Sequence, residues 1–197
     1  MKPALPERIL IVLDLDETLI HATTEEKFGE IDFSVGPYGV YIRPGLQPFL
    51  ELLREHFRVA VWSSASDDYV TTVASHLFPA GYPLEFIWGR SRCTLRRDTK
   101  EVELYGHTDA NSHLHYTKML RKVKDRGYVQ SLERLLIIDD TPTKVRNAYG
   151  NAIYPRVFDG SPDDEELALL GRYLLIIKDV ENVRSIEKRE WREQIDI

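Results

Sequence analysis

The sequence predicts an α/β fold, a parallel sheet in three layers with helices on its two faces. Short, continuously apolar runs of strand length recur along the chain, as in "RILIVL" (8–13). Amphipathic stretches of helix length alternate with them, and strands alternating with helices imply a parallel sheet covered on both sides. Each of the three most apolar runs also ends in polar residues. Asp14 and Asp16 follow the first, Ser63 and Ser64 the second, Asp139 and Asp140 the third.

Taken in order, 8–13 is a strand buried on both sides, and "GVYIRP" (39–44) is a short strand after a polar, glycine-containing segment. "LQPFLELLREHF" (46–57) carries Phe49, Leu52, Leu53 and Phe57 at helical spacing. "RVAVWSS" (58–64) is the second buried strand, and "DDYVTTVASHLF" (67–78) a helix with Ser66 or Asp67 at its N-cap. "LLIID" (135–139) is the third buried strand, and Pro142 just beyond suits a first helical turn. "AIYPRVF" (152–158) reads as a fourth strand, 163–180 as an acid-capped helix and 183–195 as a polar terminal helix. The stretch of about 83–115 breaks the alternation and reads as strands and loops inserted into the core. The expected organisation is one domain over 1–197, with that insertion and a helical tail over about 163–197.

The 197 residues are 43% hydrophobic and 29% charged, enough for a core that needs no disulfide or metal staple. The single cysteine, Cys93, forms no internal disulfide, which favours a reducing compartment. The N-terminus has an apolar run of only five residues before acids follow, unlike a signal peptide, and no run is long enough to span a bilayer. An intracellular, cytoplasmic protein is expected, or a nuclear one in a eukaryote. The net charge of −6 disfavours long nucleic acids, which are gripped through phosphates. One basic island, "GRSRCTLRRDTK" (89–100), runs against that trend.

In open parallel sheets ligands bind at the carboxyl ends of the strands, so the polar strand ends should converge. Four carboxylates there, Asp14, Asp16, Asp139 and Asp140, would repel by roughly 4 kcal/mol per close pair at partly screened dielectric. A hard divalent cation removes that cost, and Mg²⁺ takes carboxylate oxygens together with water and phosphate. Each position alone reads equally as a cap or turn residue. The combination D-x-D-x-T at a strand end, with the other two clusters, points to an Mg²⁺ site open to a phosphate.

These residues carry a resemblance. "VLDLDETL" resembles the first motif of the haloacid dehalogenase (HAD) superfamily of phosphohydrolases. With Ile20 and His21 following, it is similar to the FCP/SCP-like, NIF-type phosphatases of the RNA polymerase II C-terminal domain. "YIRPG" (41–45), "AVWSSAS" (60–66), "YTKML" (116–120) and "LIIDDTP" (136–142) resemble the later segments, in order, so the likeness runs from about Arg8 to Phe158. The resemblance implies an HAD-like core without a large cap domain. It implies Asp14 as nucleophile, Asp16 as general acid and then base, and Thr18, Ser63 and Lys118 around the phosphate. Asp139 would support Lys118, and Asp14, Asp16 (through its carbonyl) and Asp140 would hold Mg²⁺. Tyr69 and Arg92 would line a substrate groove, while Glu17 reads as a solvated bystander.

An open site suits a phosphorylated protein or peptide, the leading expectation, over a small phosphomonoester. A nucleic-acid end and a non-catalytic phosphoprotein binder are the other readings carried. A two-component receiver domain is disfavoured, because its acceptor aspartate follows a middle strand rather than sitting in a D-x-D at the first.

Overall fold

The computed structural model describes residues 7–25, 29–97 and 114–195. At its centre is a five-stranded sheet in the order β10-β9-β1-β5-β6, every neighbouring pair parallel. Its strands are β1 (Leu10–Leu13), β5 (Arg58–Trp62), β6 (Leu84–Trp88), β9 (Leu135–Ile138) and β10 (Ala152–Ile153). β1 lies in the middle, which is why its four residues are all apolar and all buried. Alternate side chains feed two cores. Ile11 and Leu13 join Val59, Val61, Leu136 and Ile138 on one face, and Leu10 and Val12 join Ala60, Trp62, Leu135 and Ile137 on the other.

The two outer layers are unequal. Helices α1 (Leu46–His56), α2 (Asp67–Leu77) and α4 (Glu166–Ile177) bury their apolar stripes in the first core, through residues such as Leu53, Val73 and Leu170. α4 comes close to α1 at Gly171, where an added Cβ would lie 3.3 Å from Leu52. The second core is covered by the short α3 (Arg121–Asp125) and by single turns, with Phe86 stacked on Trp88 and Tyr128 set at an angle to both.

Two small antiparallel units stand beside the sheet. β2 (Ile20–Thr23), β3 (Phe33–Val35) and β4 (Tyr38–Ile42) form a flap ordered β2-β4-β3, and β7 (Thr94–Arg97) pairs with β8 (Leu114–Thr117) as a ribbon. The inserted unit is smaller than the sequence implies. Leu84–Trp88 is the outermost strand of the core sheet, so the insertion begins after it. The middle of the insertion, 98–113, lies outside the described residues.

Three further expectations are corrected. The strand expected over 152–158 stops at Ile153, because the following backbone is used elsewhere. The Phe158 N–H donates to the Glu17 carbonyl and the Arg156 carbonyl accepts from Arg43. The helix expected from 163 begins at Glu166, since Asp164 accepts from the Glu166 N–H and from Arg43. The terminal helix over 183–195 is replaced by turns at Val183–Ser185 and Trp191–Gln194. There the Lys188 ammonium bonds the carbonyls of Val183 and Ile186, and the buried Trp191 ring donates to the Tyr154 carbonyl and lies beside Tyr173.

Arg43, just past β4, ties the flap to this C-terminal part. It is fully buried, grips Asp164 with two bonds of 2.7 and 2.8 Å and donates to the carbonyls of Thr18 and Arg156. Replacing Asp164 with Asn should leave a buried cation short of its counter-charge and cost about 3 kcal/mol in urea unfolding. Burial alone would raise the Asp164 carboxyl, but the Arg43 hydrogen bonds and charge outweigh it and hold it below the ordinary range. A lowered carboxyl stabilises the fold above the unfolded-state value of about 3.9, and that stabilisation is lost as pH falls through the folded-state value. The acid-side drop in urea midpoint should therefore be smaller in Asp164→Asn than in wild type; equal drops would contradict the pairing.

Candidate active site

The candidate site forms where β1, β5 and β9 end. After β1 the chain turns tightly: the N–H groups of Thr18, Leu19 and Ile20 all point at the Leu15 carbonyl, at 3.2, 2.8 and 3.1 Å. Glu17 takes a left-handed backbone with φ of 57°, which costs a non-glycine residue about 1–2 kcal/mol. The turn is held from outside by Phe158 on the Glu17 carbonyl and Arg43 on the Thr18 carbonyl. Leu15 is buried in the core, as its alternation predicts, while Asp14 and Asp16 face the polar side.

Asp14 is fully buried and Lys118, equally buried, sits between it and Asp139. The Lys118 ammonium lies 2.9 Å from Asp14 Oδ1 and 2.6 Å from Asp139 Oδ2. Lys144 approaches the other Asp14 oxygen at 3.4 Å. Asp139 also accepts from the Thr141 N–H, which fixes its orientation. Asp140 accepts from the hydroxyls of Thr141 and Thr18, and its own N–H returns to the Thr18 oxygen. Asp16 points to the opposite side, where it accepts from the Ser63 hydroxyl at 3.1 Å and the Tyr69 phenol at 2.7 Å.

The two aspartates of the first motif are set apart electrostatically. Burial would raise the Asp14 carboxyl, but the charges of Lys118 and Lys144 outweigh it and hold it ionised below the ordinary range. Asp16 goes the other way: burial first, and then the Asp14 charge, push it up against the Tyr69 and Ser63 hydrogen bonds. Neighbouring carboxyls moved in opposite directions are the pattern of a nucleophile beside a proton donor. Glu17, expected to be a solvated bystander, is only partly so, its side chain 36% exposed. Burial, Asp16 and Asp140 push its carboxyl up to about 7, and it lies 3.3 Å from His21.

Asp14, Asp16, Thr18, Ser63, Tyr69, Lys118, Asp139 and Asp140 are thus brought together. Thr18, expected among the phosphate-binding groups, spends its hydroxyl proton on Asp140 and splices the two acidic motifs. Beside Asp16 opens a groove of about 330 Å³ walled by Glu17, Tyr38, Ala65, Tyr69 and Arg90. Arg92 does not line it. Its guanidinium lies 6.0 Å over the Trp88 ring, and Arg90, two residues earlier, takes the groove position. Of the neighbouring lysines, Lys122 is spent on the carbonyls of Arg92 and Cys93. Lys144 was not singled out from sequence, and Arg43 was quoted only within "YIRPG", with no role of its own. For Lys144 the available signal was a basic residue on the turn after "IDDTP"; for Arg43 there was only its place before a proline.

An oxygen of Asp14, of Asp139 and of Asp140 lie within 4.8 Å of one another, a donor set suited to a hard divalent cation. Asp139 is already committed to Lys118 and Thr141, which leaves Asp14 and Asp140 as the side chains best placed to hold one. Because Lys118 compensates two buried carboxylates, Lys118→Met should lower stability at neutral pH by about 3–5 kcal/mol in urea unfolding. Added divalent cation should restore part of that loss, and an unchanged midpoint would show that the triad is not ionised as described.

Comparison with known proteins places the chain in a family. The chain is 26% identical over 201 residues to the CTD nuclear envelope phosphatase 1 homolog of Caenorhabditis elegans, covering 94% of this chain and 73% of the relative. It is also 26% identical over 190 residues to the putative CTD phosphatase-like protein 355R of Invertebrate iridescent virus 3, covering 86% of this chain and 96% of the relative. The fold is shared with fission yeast RNA polymerase II CTD phosphatase Fcp1, with a TM-score of 0.52 at 17% identity. That match covers 95% of this chain and just 54% of the Fcp1 chain. The model of the NLI interacting factor-like phosphatases matches residues 9–184. The chain belongs to that family and is a phosphatase on the haloacid dehalogenase fold.

Proposed function

We propose that the protein hydrolyses phosphomonoesters through an aspartyl-phosphate, and that its substrate is a phosphorylated serine or threonine of a protein. The observation that carries the chemistry is the opposed setting of Asp14 and Asp16 at one strand end. Asp14 attacks phosphorus as the bond to the leaving oxygen breaks, and Asp16 gives that oxygen its proton. Asp16 then takes a proton from water, the water oxygen bonds to phosphorus, and the bond to Asp14 breaks to release inorganic phosphate. Lys118 offsets the charge gathering on the phosphoryl oxygens, and Ser63 turns its hydroxyl from Asp16 toward them. Mg²⁺, held by Asp14, Asp140 and the Asp16 carbonyl, would supply charge neutralisation and alignment.

A protein substrate is favoured by the openness of the site. The groove beside Asp16 shares Tyr38 with a broader hollow of about 920 Å³ along the flap. Among the described residues no cap closes over either. Two relatives carry the names CTD nuclear envelope phosphatase 1 homolog and putative CTD phosphatase-like protein, which points the same way. Among the described residues no helix is long and apolar enough to cross a membrane. We infer an intracellular site of action. The nuclear envelope in the name of the Caenorhabditis elegans relative puts the nuclear side beside the cytoplasm expected from sequence.

Hydrolysis of p-nitrophenyl phosphate should require divalent metal and fall by at least about 10³-fold in Asp14→Asn, since a nucleophile has no substitute. Activity that survives both EDTA and the substitution would refute the chemistry. Rates on phosphoserine peptides should exceed those on nucleotides and sugar phosphates in kcat/KM. The reverse order would leave the chemistry standing and remove the protein substrate.

A further inference from the structure

Lys144 takes no step in the scheme above beyond helping Lys118 to keep Asp14 ionised. It ends the single turn Pro142–Lys144 that follows the acidic pair, and its side chain folds back to 3.4 Å from Asp14 Oδ2. Lys118 holds Oδ1 of the same carboxylate at 2.9 Å, so the two lysines divide the nucleophile between them. Their settings differ. Lys118 is fully enclosed and clamped by two carboxylates, whereas the Lys144 side chain is 25% exposed and its single carboxylate contact is long for a charge-assisted bond. Burial disfavours the Lys144 charge and Asp16 and Glu17 also feel it, but the ammonium is held protonated chiefly by three carboxylates, Asp14, Asp139 and Asp140. They are the same three whose oxygens gather within 4.8 Å.

We propose that Lys144 is the resident counter-charge of the metal site. It holds the carboxylates together before a divalent cation binds, and swings toward solvent when the cation arrives. The inference rests on the metal-dependent reading given above. A cation entering the Asp14 and Asp140 oxygens meets an ammonium already at Oδ2, and two cations at that distance repel. A flexible lysine stem with an open side can leave, while Lys118 cannot. The device would keep the crowded carboxylates ordered without metal and weaken metal binding by competition. The backbone around Lys144 would stay in place, because its carbonyl accepts the Lys118 N–H at 2.8 Å whatever side chain it carries.

The test is calorimetric titration of Mg²⁺ into the full chain, for wild type, Lys144→Met, Lys144→Arg and Lys122→Met. Lys144→Met should bind Mg²⁺ about tenfold more tightly, a change worth about 1.4 kcal/mol. Its metal-free form should melt lower than wild type, and the difference should close at saturating Mg²⁺. Lys144→Arg should stay near wild type. Lys122→Met removes an equal charge held on the Arg92 and Cys93 carbonyls and should leave the affinity unchanged. Equal gains in the two Met variants would mean a general field effect and overturn the proposal. Unchanged affinity in Lys144→Met, with weaker orthovanadate binding, would assign Lys144 to the substrate phosphate and overturn it too. Both results leave the phosphatase chemistry untouched, whereas a wild type that binds no metal would overturn the metal-dependent reading as well.

Discussion

The crowding of carboxylates at the ends of β1 and β9 is the constraint on which this molecule turns. Asp14 and Asp139 are fully buried, on neighbouring strands paired along their whole length. Two anions in that position are tolerable only with a cation between them, and Lys118 is placed there by the end of β8 and by its backbone bond to Lys144. The β7–β8 ribbon, otherwise peripheral, therefore delivers the charge that lets the centre of the sheet end in acid. The same arrangement separates the two aspartates of the first motif. Asp14 is surrounded by cations and stays ionised; Asp16, two residues on, is turned toward a phenol and a hydroxyl and holds its proton more tightly.

A second constraint is mechanical. The turn that aims Asp14 and Asp16 contains a glutamate in a left-handed conformation, which the turn alone does not favour. Arg43 and Phe158 hold its carbonyls from outside, and Arg43 is in turn fixed by Asp164, far along the chain. The C-terminal part is thus joined to the active turn directly by the Phe158 N–H and indirectly through the Arg43 guanidinium, and the strain at Glu17 is balanced by contacts more than a hundred residues away. That is a structural reason for the chain beyond β10 to be present at all, since it adds no group to the chemistry.

How much of this was legible follows from which signals are local. β1, β5 and β9 were readable because a strand covered on both faces must be apolar throughout, and their polar ends located the site. D-x-D-x-T, read with Asp140, pointed to the acidic cluster that the fold assembles from Asp14, Asp139 and Asp140. Leu84–Trp88 was misassigned because an edge strand mixes apolar and charged residues, here with Glu85 paired to Arg58, and loses the continuous run. The terminal segment read as a polar helix, yet Lys188 and Trp191 bind more distant groups and break it into turns. The roles of Lys144, of Arg43 in "YIRPG" and of Arg90 in the basic island were unreadable for one reason. A basic residue on a loop reads as solvated until the fold shows what it faces, and these three face a nucleophile, a buried carboxylate and a groove.

The account stands most directly on covalent phosphorylation of Asp14. Rapid acid quench of the protein during turnover of a phosphomonoester with Mg²⁺, followed by peptide mass spectrometry, reports it without reference to any particular physiological substrate. The account predicts one phosphoryl group on the peptide that contains Asp14, labile to base and absent in Asp14→Asn. Turnover with no phosphoryl-enzyme, or with the group on another residue, would contradict it.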